Sequence, residues 1–266
     1  MSVPFAVFAS GSGTNMQALF DHEREDAAYR IELLVTDRDC AAEERARRLG
    51  RALCRVEFPR RGAVEGDAPA GVSEGPATTP QGTCASQLLH LLKRHRAEGI
   101  LLAGFLRLVP AEVCAAYRGR ILNIHPALLP AFGGKGMYGH HVHEAVLRSG
   151  ASLSGPTIHF VDERYDEGRI LAQWPVPVLP GDTPEALAAR VLRVEHALYP
   201  AAADALARAV QGGWPDGGPA PAFCWPGGDR SAGAVTADAG PQADDRSSAA
   251  ANLEQRIQQA FGGAGD

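Results

Sequence analysis

The sequence has little that points to secretion, a membrane or nucleic acid. No uninterrupted apolar stretch among its 266 residues reaches the roughly 18 that a transmembrane helix needs. Residues 1–20 have neither the basic start nor the apolar core of a secretory signal. The formal net charge of −5 gives no reason to expect nucleic acid or an anionic membrane as a partner. We therefore expect a cytoplasmic protein without a nucleic-acid or membrane partner. As a separate expectation, it is a monomer or homodimer.

Cysteine is sparse and scattered. The chain has five cysteines, an odd number, and no two of them form a C-x-x-C pair. A disulfide framework needs an even set, and a zinc or redox site needs close spacing. We therefore predict free, mostly buried thiols at Cys40, Cys54, Cys84, Cys114 and Cys224.

Three histidines, His140, His141 and His143, lie close together after a Gly-rich stretch. Histidines so near one another on one loop or helix start rarely supply three convergent ligands, and no cysteine or aspartate completes the set. We therefore predict no metal.

Strand-like and helix-like stretches alternate through most of the chain, which is typical of a parallel sheet covered by helices. The predicted strands are residues 4–9, 31–36, 52–58, 99–104, 121–124, 154–161 and 170–178. The predicted helices are residues 15–21, 41–49, 85–96 and 184–210. The predicted fold class is α/β, a Rossmann-like three-layer sandwich with a mostly parallel sheet.

Two segments, residues 59–83 and 212–266, are rich in Gly, Pro and Ala and lack apolar periodicity. Such a composition buries too little apolar surface to offset the entropy of ordering the chain. We predict one domain over residues 1–211 with a mobile insertion at 59–83, followed by a low-complexity, disordered tail. Leu253, Ile257 and Phe261 recur at helical spacing, so a short docking helix in the tail is an alternative.

The sequence Asn123-Ile124-His125-Pro126, with Asp166 farther along, supplies an amide, an imidazole and a carboxylate. Asn123 and His125 would lie at the carboxyl end of a strand, where open α/β sheets bind ligands. Residues two apart on a strand point to the same side, so both can face one pocket. The set could stabilise an oxyanion and transfer a proton. On its own the pattern also fits an ordinary hydrogen-bonded pair of loop residues.

A Gly-rich turn, residues 10–15, follows the first predicted strand and opens a helix. Glycine lets backbone N–H groups approach an anion, and the helix N-terminus adds partial positive charge, so a phosphate monoester is the natural ligand. A dinucleotide is the rival interpretation, with Asp37 placed to bind the ribose, although Met16 replaces the third glycine of that motif. A purely structural turn is the third possibility.

Four sequence motifs, in the expected order, resemble those of the phosphoribosylglycinamide formyltransferase family. Members of this family are folate-dependent enzymes of purine synthesis. The motifs are ASGSGTNMQAL at 9–19, LAGFLR at 102–107, LNIHPALLP at 122–130 and VEHALYP at 194–200. The resemblance extends over residues 4–210 apart from 59–83. It implies the formyltransferase fold and transfer of the formyl group of 10-formyltetrahydrofolate to the amine of glycinamide ribonucleotide.

The resemblance makes Asn123, His125 and Asp166 the catalytic set. Asn123 would donate a hydrogen bond to the formyl oxygen, and a protonated His125 would stabilise it and act as general acid. Asp166 would favour the imidazolium by its charge. Asp162 and Glu163 are carboxylates in the same run to which the resemblance assigns no role.

Further residues are assigned to the binding of each of the two substrates. The resemblance places Gly13, Thr14 and Asn15 at the ribonucleotide phosphate and Glu195 at its glycinamide end. It places Asn123 and a four-residue segment at the folate, and this segment is Leu106, Arg107, Leu108 and Val109. His159 would lie close to the catalytic pair without binding substrate. In the family an arginine from the region of the insertion lies near the folate, and both Arg60 and Arg61 are candidates here.

Three alternative functions are considered. A formyltetrahydrofolate hydrolase would usually carry an additional N-terminal regulatory domain, which we do not expect because the first strand begins near residue 4. A methionyl-tRNA formyltransferase would carry a basic C-terminal module, whereas residues 212–266 are acidic. A nucleotide-binding domain built on Gly11-x-Gly13 would bind NAD and transfer no formyl group.

Overall fold

The computed structural model describes residues 1–24, 27–58, 82–218 and 220–221, and these form nine strands and six helices. The strands are β1 (Val3–Ala9), β2 (Tyr29–Thr36), β3 (Ala52–Arg55), β4 (Gly99–Leu102), β5 (Ile121–His125), β6 (Leu153–Ser154), β7 (Thr157–Phe160), β8 (Ile170–Gln173) and β9 (Val176–Pro177). The helices are α1 (Thr14–Glu23), α2 (Ala41–Arg48), α3 (Cys84–Arg94), α4 (Ala111–Ala116), α5 (His140–Ser149) and α6 (Pro184–Gln211).

Seven strands form one sheet in the order β3-β2-β1-β4-β5-β7-β8. The first five are parallel to their neighbours, whereas β7 runs antiparallel to β5 and β8 runs antiparallel to β7. Every residue of β1 is buried, as expected for a central strand that is covered on both faces. The prediction of a mostly parallel sheet is confirmed.

Helices cover both faces of this sheet. On one face α1 and α6 contribute Met16, Leu19 and Leu206 to a buried apolar cluster. On the other face α3 and α4 contribute Leu88 and Val113 to a second cluster. The sheet therefore lies between two helical layers, and the prediction of a Rossmann-like three-layer sandwich is confirmed.

Helix α6 is the longest element and crosses the sheet beneath the ends of two strands. The side chain of Thr183 caps its start by accepting a hydrogen bond from the Ala186 N–H. Near its middle, the fully buried Tyr199 hydroxyl lies 3.0 Å from the Leu102 carbonyl oxygen and 3.1 Å from that of Leu122. These contacts join α6 to β4 and β5.

Two predicted strands are each split in the structure, so their prediction as continuous strands is wrong. Residues 154–161 divide into β6 and β7, and residues 170–178 divide into β8 and β9. The breaks fall at Pro156 and Pro175, because proline offers no N–H to a strand ladder. Gly155 has a φ of +136°, and a Cβ there would lie 1.9 Å from the Trp174 carbonyl oxygen. β6 and β9 consequently pair with each other in a separate sheet.

The sequence pattern does not predict α4 or α5. Helix α4 has six residues, too few for apolar periodicity to be evident. Helix α5 begins with polar histidines behind a Gly-rich stretch, which obscures its buried residues Val142, His143 and Val146.

Most of the predicted insertion and tail lie outside the described residues, as do Arg60, Arg61, Cys224 and the alternative helix near residue 257. The first tail residues, 212–218, are described and contact the domain, since the Trp214 Nε1–H donates to the Gly119 carbonyl oxygen. The four described cysteines are free, two of them buried and two half-buried. Among the described helices, none has the length and apolarity needed to cross a membrane.

Candidate active site

A cavity of about 580 Å³ opens at the carboxyl ends of β1, β4 and β5. This is the edge at which open α/β sheets bind ligands, and the volume is in the range of small-molecule sites, about 300–1,000 Å³. Its walls come from the turn before α1, the segment after β4, the end of β5, the loop before α5, the segment after β7 and one face of α6.

Asn123 and His125 both line this cavity from β5, as the strand alternation predicts. Across the antiparallel pair, Asn123 lies opposite His159, and the Asn123 Nδ2 is 3.1 Å from the His159 Nε2. The His159 Nδ1 is 2.9 Å from the Phe160 carbonyl oxygen, which can only accept, so Nδ1 carries a proton. In the neutral ring Nε2 then accepts from the Asn123 amide, which keeps one N–H for a ligand.

The His125 ring is buried between two oxygen acceptors. Its Nε2 donates to the Phe132 carbonyl oxygen at 2.9 Å, and its Nδ1 lies 3.6 Å from the Asp166 Oδ2. Burial lowers the pKa of His125 below its usual value, against the opposing effects of the Asp166 charge and the Phe132 carbonyl. The ring is therefore mainly neutral at pH 7, whereas the sequence-based expectation is a protonated ring.

Asp166 lies between the two histidines in a left-handed backbone conformation, with φ of +57°. Its Oδ2 accepts the Gly134 N–H at 2.9 Å, and its Oδ1 lies 3.5 Å from the His159 Nε2. Burial raises the pKa of Asp166, but the His159 ring, the His125 ring and the Gly134 N–H together lower it below the usual value. Asp166 is therefore a carboxylate at neutral pH.

The two neighbouring carboxylates are placed differently. Asp162 and Glu163 are absent from the cavity lining, whereas Arg164, Tyr165 and Asp166 belong to it. The Asp162 Oδ1 accepts the Arg164 N–H at 2.8 Å and so stabilises the turn. Of the acidic residues in this run, Asp166 is the one that meets His125.

The Gly-rich turn lines the cavity through Ser12, Thr14 and Asn15, but Gly13 is not part of the lining. Gly13 has a φ of +73°, and a Cβ there would lie 2.9 Å from the Ala42 Cα and Cβ. Glycine at this position therefore permits close packing against α2. The Arg45 Nε donates to the Ser12 carbonyl oxygen at 2.9 Å, which fixes the turn from outside.

Glu195 on α6 meets this turn from the opposite side. Its Oε2 accepts a hydrogen bond from the Asn15 Nδ2 at 2.5 Å. Burial raises the pKa of Glu195 to about 6, partly opposed by the Asn15 hydrogen bond. Glu195 is a buried carboxylate whose hydrogen-bond partner, the Asn15 amide, is uncharged. Such a carboxylate is suited to accept hydrogen bonds from the N–H groups of a ligand.

The four residues predicted at the folate, 106–109, all line the cavity. Leu106 and Leu108 are 37% and 42% exposed, which is high for large apolar side chains and gives the cavity an apolar wall. The Arg107 Nε donates to the Asp37 Oδ2 at 2.8 Å. The Asp37 side chain has no exposed surface, so it is not accessible to the ribose that the dinucleotide interpretation requires.

Several residues of the lining are not indicated by the sequence pattern, among them Ser12, Tyr138, His143, Ala188 and Leu192. His143 is 4% exposed, and its Nδ1 has no hydrogen-bond partner among the residues that the structure describes. Burial, with the nearby rings of His140 and His125, lowers the pKa of His143 to about 4. The three-residue spacing of His140 and His143 on one helix face is the signal that could have indicated a pocket position.

The three clustered histidines face different partners. The His140 Nε2 lies 3.1 Å from Glu144 and 3.5 Å from Glu185, and the His141 Nδ1 lies 3.6 Å from Glu144. Within the part of the chain that the structure describes, no group of three or more His, Cys, Asp or Glu is arranged to bind a metal ion.

Comparison of this chain with known proteins indicates membership of one family. Phosphoribosylglycinamide formyltransferase, chloroplastic, from Arabidopsis thaliana is 47% identical over 196 residues, 73% of this chain and 62% of that protein. The protein of the same name from Vigna unguiculata is 45% identical over 203 residues, 76% of this chain and 60% of that protein. The crystal structure of glycinamide ribonucleotide transformylase 1 from Geobacillus kaustophilus has a TM-score of 0.64 and 38% identity, covering 77% of this chain and 99% of its own.

These relatives contradict the expectation of a cytoplasmic protein, because both plant proteins are named as chloroplastic. Charge and hydropathy separate secreted and membrane proteins from the rest. They do not distinguish one internal compartment from another, so the sequence pattern gave no physical basis for choosing the cytoplasm.

Residues 3–203 match the formyl transferase family, whose members use a folate-derived formyl donor. The chain spans about 60% of the length of the two plant proteins and nearly all of the Geobacillus structure. The predicted resemblance is confirmed, and the chain belongs to the formyl transferase family, together with the phosphoribosylglycinamide formyltransferases.

Proposed function

We propose that this protein transfers the formyl group of 10-formyltetrahydrofolate to the amine of glycinamide ribonucleotide, a reaction of purine biosynthesis. The observation that carries the proposal is the meeting of Asn123, His125 and Asp166 at the centre of one cavity. The turn before α1 bounds that cavity at one end, and the apolar segment 106–109 bounds it at another. The names of the relatives agree with this reaction.

The ribonucleotide occupies the side of the cavity formed by α1 and α6. Its phosphate binds at the N-terminus of α1, where backbone N–H groups without helical partners and the side chains of Ser12, Thr14 and Asn15 are available. Gly13 acts by shaping the turn, since its own atoms do not reach the cavity. The glycinamide amine then lies near Glu195.

Glu195 suits an amine nucleophile because of its burial. With a pKa of about 6 it is mostly ionised at pH 7, and it can accept a hydrogen bond from an amine N–H in the cavity. The carboxylate accepts this N–H and directs the nitrogen lone pair toward the formyl carbon. Glu195 therefore orients the nucleophile.

The formyl donor occupies the opposite side, with its pteridine against the segment 106–109 and its formyl group beside Asn123. Attack by the amine forms a bond from nitrogen to the formyl carbon and places negative charge on the formyl oxygen. The Asn123 N–H that His159 does not use donates to this oxygen. Breakage of the bond from carbon to the folate nitrogen then releases the formylated amine.

One proton has to leave the attacking amine and one has to reach the folate nitrogen. His125 can accept a proton at Nδ1, beside the Asp166 carboxylate, while its Nε2–H stays on the Phe132 carbonyl. The imidazolium formed in this way is stabilised by both oxygens and lies next to the developing oxyanion. His125 can then return the proton to the folate nitrogen, directly or through water.

The direct test is an assay of the purified protein with 10-formyltetrahydrofolate and glycinamide ribonucleotide, in which loss of the formyl donor is followed by absorbance. We expect turnover that requires the ribonucleotide and produces its formylated form in equal amount. Consumption of the donor with water alone, at an unchanged rate without ribonucleotide, would instead assign the chain as a hydrolase. Tight NAD binding without formyl transfer would assign it as a nucleotide-binding domain.

The remaining expectations stay predictions. They are that the protein is a monomer or homodimer, that it binds neither nucleic acid nor a membrane, and that it needs no metal. Sedimentation of the purified protein tests the first, and assay after chelation tests the last.

A further inference from the structure

A cluster of charged side chains lies behind the donor-side segment of the cavity, next to the end of β2. The Asp37 Oδ2 accepts hydrogen bonds from the Arg107 Nε at 2.8 Å and the Arg38 Nη2 at 2.7 Å. The Asp37 side chain has no exposed surface, whereas Arg107 and Arg38 are partly exposed. Two guanidinium groups therefore enclose one carboxylate.

A neighbour of this carboxylate contacts the segment by a second route. Ser10 lies close enough to Asp37 to lower its pKa. The Ser10 Oγ accepts the Leu106 N–H at 3.0 Å, and the Ser10 N–H donates to the Gly104 carbonyl oxygen at 3.2 Å. Asp37 thus binds the side chain of Arg107 directly, and Ser10 beside it binds the backbone of Leu106.

We propose that Asp37 is a positioning residue for the formyl donor, which fixes the backbone and side chains of residues 106–109 before the folate binds. This inference rests on the proposed function, because it assigns the segment to the donor. The resemblance to the family assigns no role to Asp37. The sequence pattern suggested Asp37 only as a residue that would bind the ribose of a dinucleotide.

The argument is one of preorganisation. Residues 106–109 belong to no helix or strand, and they carry two exposed leucines at the cavity wall. A segment of this kind loses conformational freedom when a ligand binds, and contacts that order it beforehand strengthen binding. Asp37 and the adjacent Ser10 make these contacts at two successive residues of the segment.

The charge on Asp37 is needed for its contacts with the two guanidinium groups. Burial raises the pKa of Asp37, but Arg38, Ser10 and Arg107 together lower it below the usual value. An asparagine has the same shape but presents an N–H group to one of the two guanidinium donors, which would displace it. The carboxylate can accept from both because both of its oxygens are acceptors.

The test measures the binding of each ligand to Asp37→Asn without turnover, by isothermal titration with tetrahydrofolate under anaerobic conditions and with glycinamide ribonucleotide. We expect Kd for tetrahydrofolate to rise about tenfold, while Kd for the ribonucleotide stays within about twofold. Asp39→Asn is the matched control: Asp39 is two residues away on the same loop, 86% exposed, and 3.6 Å from Arg55. We expect it to bind both ligands as the unaltered protein does.

Two further variants separate positioning from a general loss of structure. Ser10→Ala keeps the charge and removes only the hydroxyl link, so tetrahydrofolate binding should weaken by about threefold even if Asp37→Asn does not fold. In a background of Arg107→Met, the effect of Asp37→Asn should be smaller than in the unaltered protein, because one of its two contacts is already lost.

The outcomes are distinct. Unchanged tetrahydrofolate binding in Asp37→Asn and Ser10→Ala, or equal weakening of both ligands, would overturn the proposal. A protein that shows the binding contrast but transfers no formyl group would contradict the proposed function and support the role of Asp37. A protein that binds neither ligand would contradict both.

Discussion

The cavity has two walls that are built differently. The strand wall is formed by lining residues from the segments 10–15, 102–109 and 123–125, which follow or end the parallel strands β1, β4 and β5. The loop wall is formed by lining residues from the loops 131–139 and 162–168, which belong to no strand or helix. In the strand wall, sheet register and close packing, such as that of Gly13 on Ala42, set the positions.

In the loop wall, the carboxylate of Asp166 determines the positions of the neighbouring residues. Asp166 accepts the Gly134 N–H, faces His125 and His159, and itself has a left-handed backbone, as does Phe132. The group that influences the proton affinity of His125 thus also orders the loop that carries the Phe132 carbonyl. The proposed substrate contacts and the proposed acid–base chemistry therefore depend on structural elements of different kinds, strand ends in one case and loops in the other.

The largest effect is expected from Asp166→Asn, which leaves the shape of the loop wall and removes its charge. The imidazolium of His125 then loses its neighbouring anion, so we expect kcat to fall by about a thousandfold, or ~4 kcal/mol in the barrier. The KM for the ribonucleotide, which binds mainly at the strand wall, should change by less than about threefold. Steady-state kinetics with both substrates varied measures the two values.

Asp162→Asn is the matched control for this change, since Asp162 lies in the same run and is absent from the cavity lining. We expect its kcat to stay within about twofold of the unaltered protein. A large loss in Asp162→Asn with none in Asp166→Asn would show that the wrong carboxylate is assigned to the site.

The strand wall is tested by Gly13→Ala. The substitution places a Cβ 2.9 Å from the Ala42 backbone at a φ of +73°, so α1 and α2 have to move apart. We expect the free energy of unfolding to fall by about 2–3 kcal/mol, from backbone strain and overpacking together. We also expect a higher KM for the ribonucleotide, and urea denaturation with steady-state kinetics gives both.

Gly11→Ala is the companion variant in the same turn. No atom lies within 4 Å of a Cβ at Gly11, and its φ is not in the left-handed range. Its stability should lie within about 0.5 kcal/mol of the unaltered protein. If both alanine variants unfold equally easily, the turn is sensitive to any side chain, and packing on Ala42 is not the cause.

Glu195→Gln is expected to raise the free energy of unfolding, which is a smaller effect than that of Gly13→Ala and opposite in sign. Because the folded-state pKa of about 6 is above the ordinary glutamate pKa of 4.5, ionising this buried carboxylate destabilises the fold as pH rises through that interval. This difference in pKa corresponds to about 2 kcal/mol, fully expressed at pH 8 and less than half expressed at pH 5. Glutamine removes this penalty, and rotation of the Asn15 amide lets its buried, unpartnered Oδ1 accept from the new amide.

Urea unfolding at pH 5 and pH 8 measures this difference. Glu195→Gln should be more stable than the unaltered protein at pH 8, by an amount that decreases at pH 5, and it should lose activity because the amine is no longer oriented. The exposed Glu98→Gln should show neither change. A variant of Glu195 with the same stability difference at both pH values would contradict the assignment of the penalty to ionisation.

The sequence predicts the strand wall well because its signals are local. Apolar runs followed by the Gly-rich turn at residue 10, and by Asn123 and His125 on β5, identify strand ends, and strand ends of a parallel sheet meet at one edge. Family resemblance then selected Asp166 from the four carboxylates of residues 162–167, which spacing alone could not do.

The loop wall and the neighbouring helix are predicted less well because their contacts join distant parts of the chain. The Phe132 carbonyl that receives the His125 N–H, the Gly134 N–H on Asp166 and the burial of His143 leave no periodic pattern in the sequence. The splitting of two predicted strands depends on single prolines whose effect is decided by the partner strand. The charge state of His125 likewise depends on burial, which a sequence motif does not specify.

Tyr199 links the two sides of the cavity. It lies one helical turn after Glu195 on α6, and its hydroxyl contacts the carbonyl of Leu122, the residue before Asn123. The middle of α6 and β5 are thus joined by a buried hydrogen bond, close to Glu195 on one side and to Asn123 on the other. The residue proposed to orient the amine and the residue proposed to bind the formyl oxygen therefore share one support, and a change at Tyr199 would alter the positions of both.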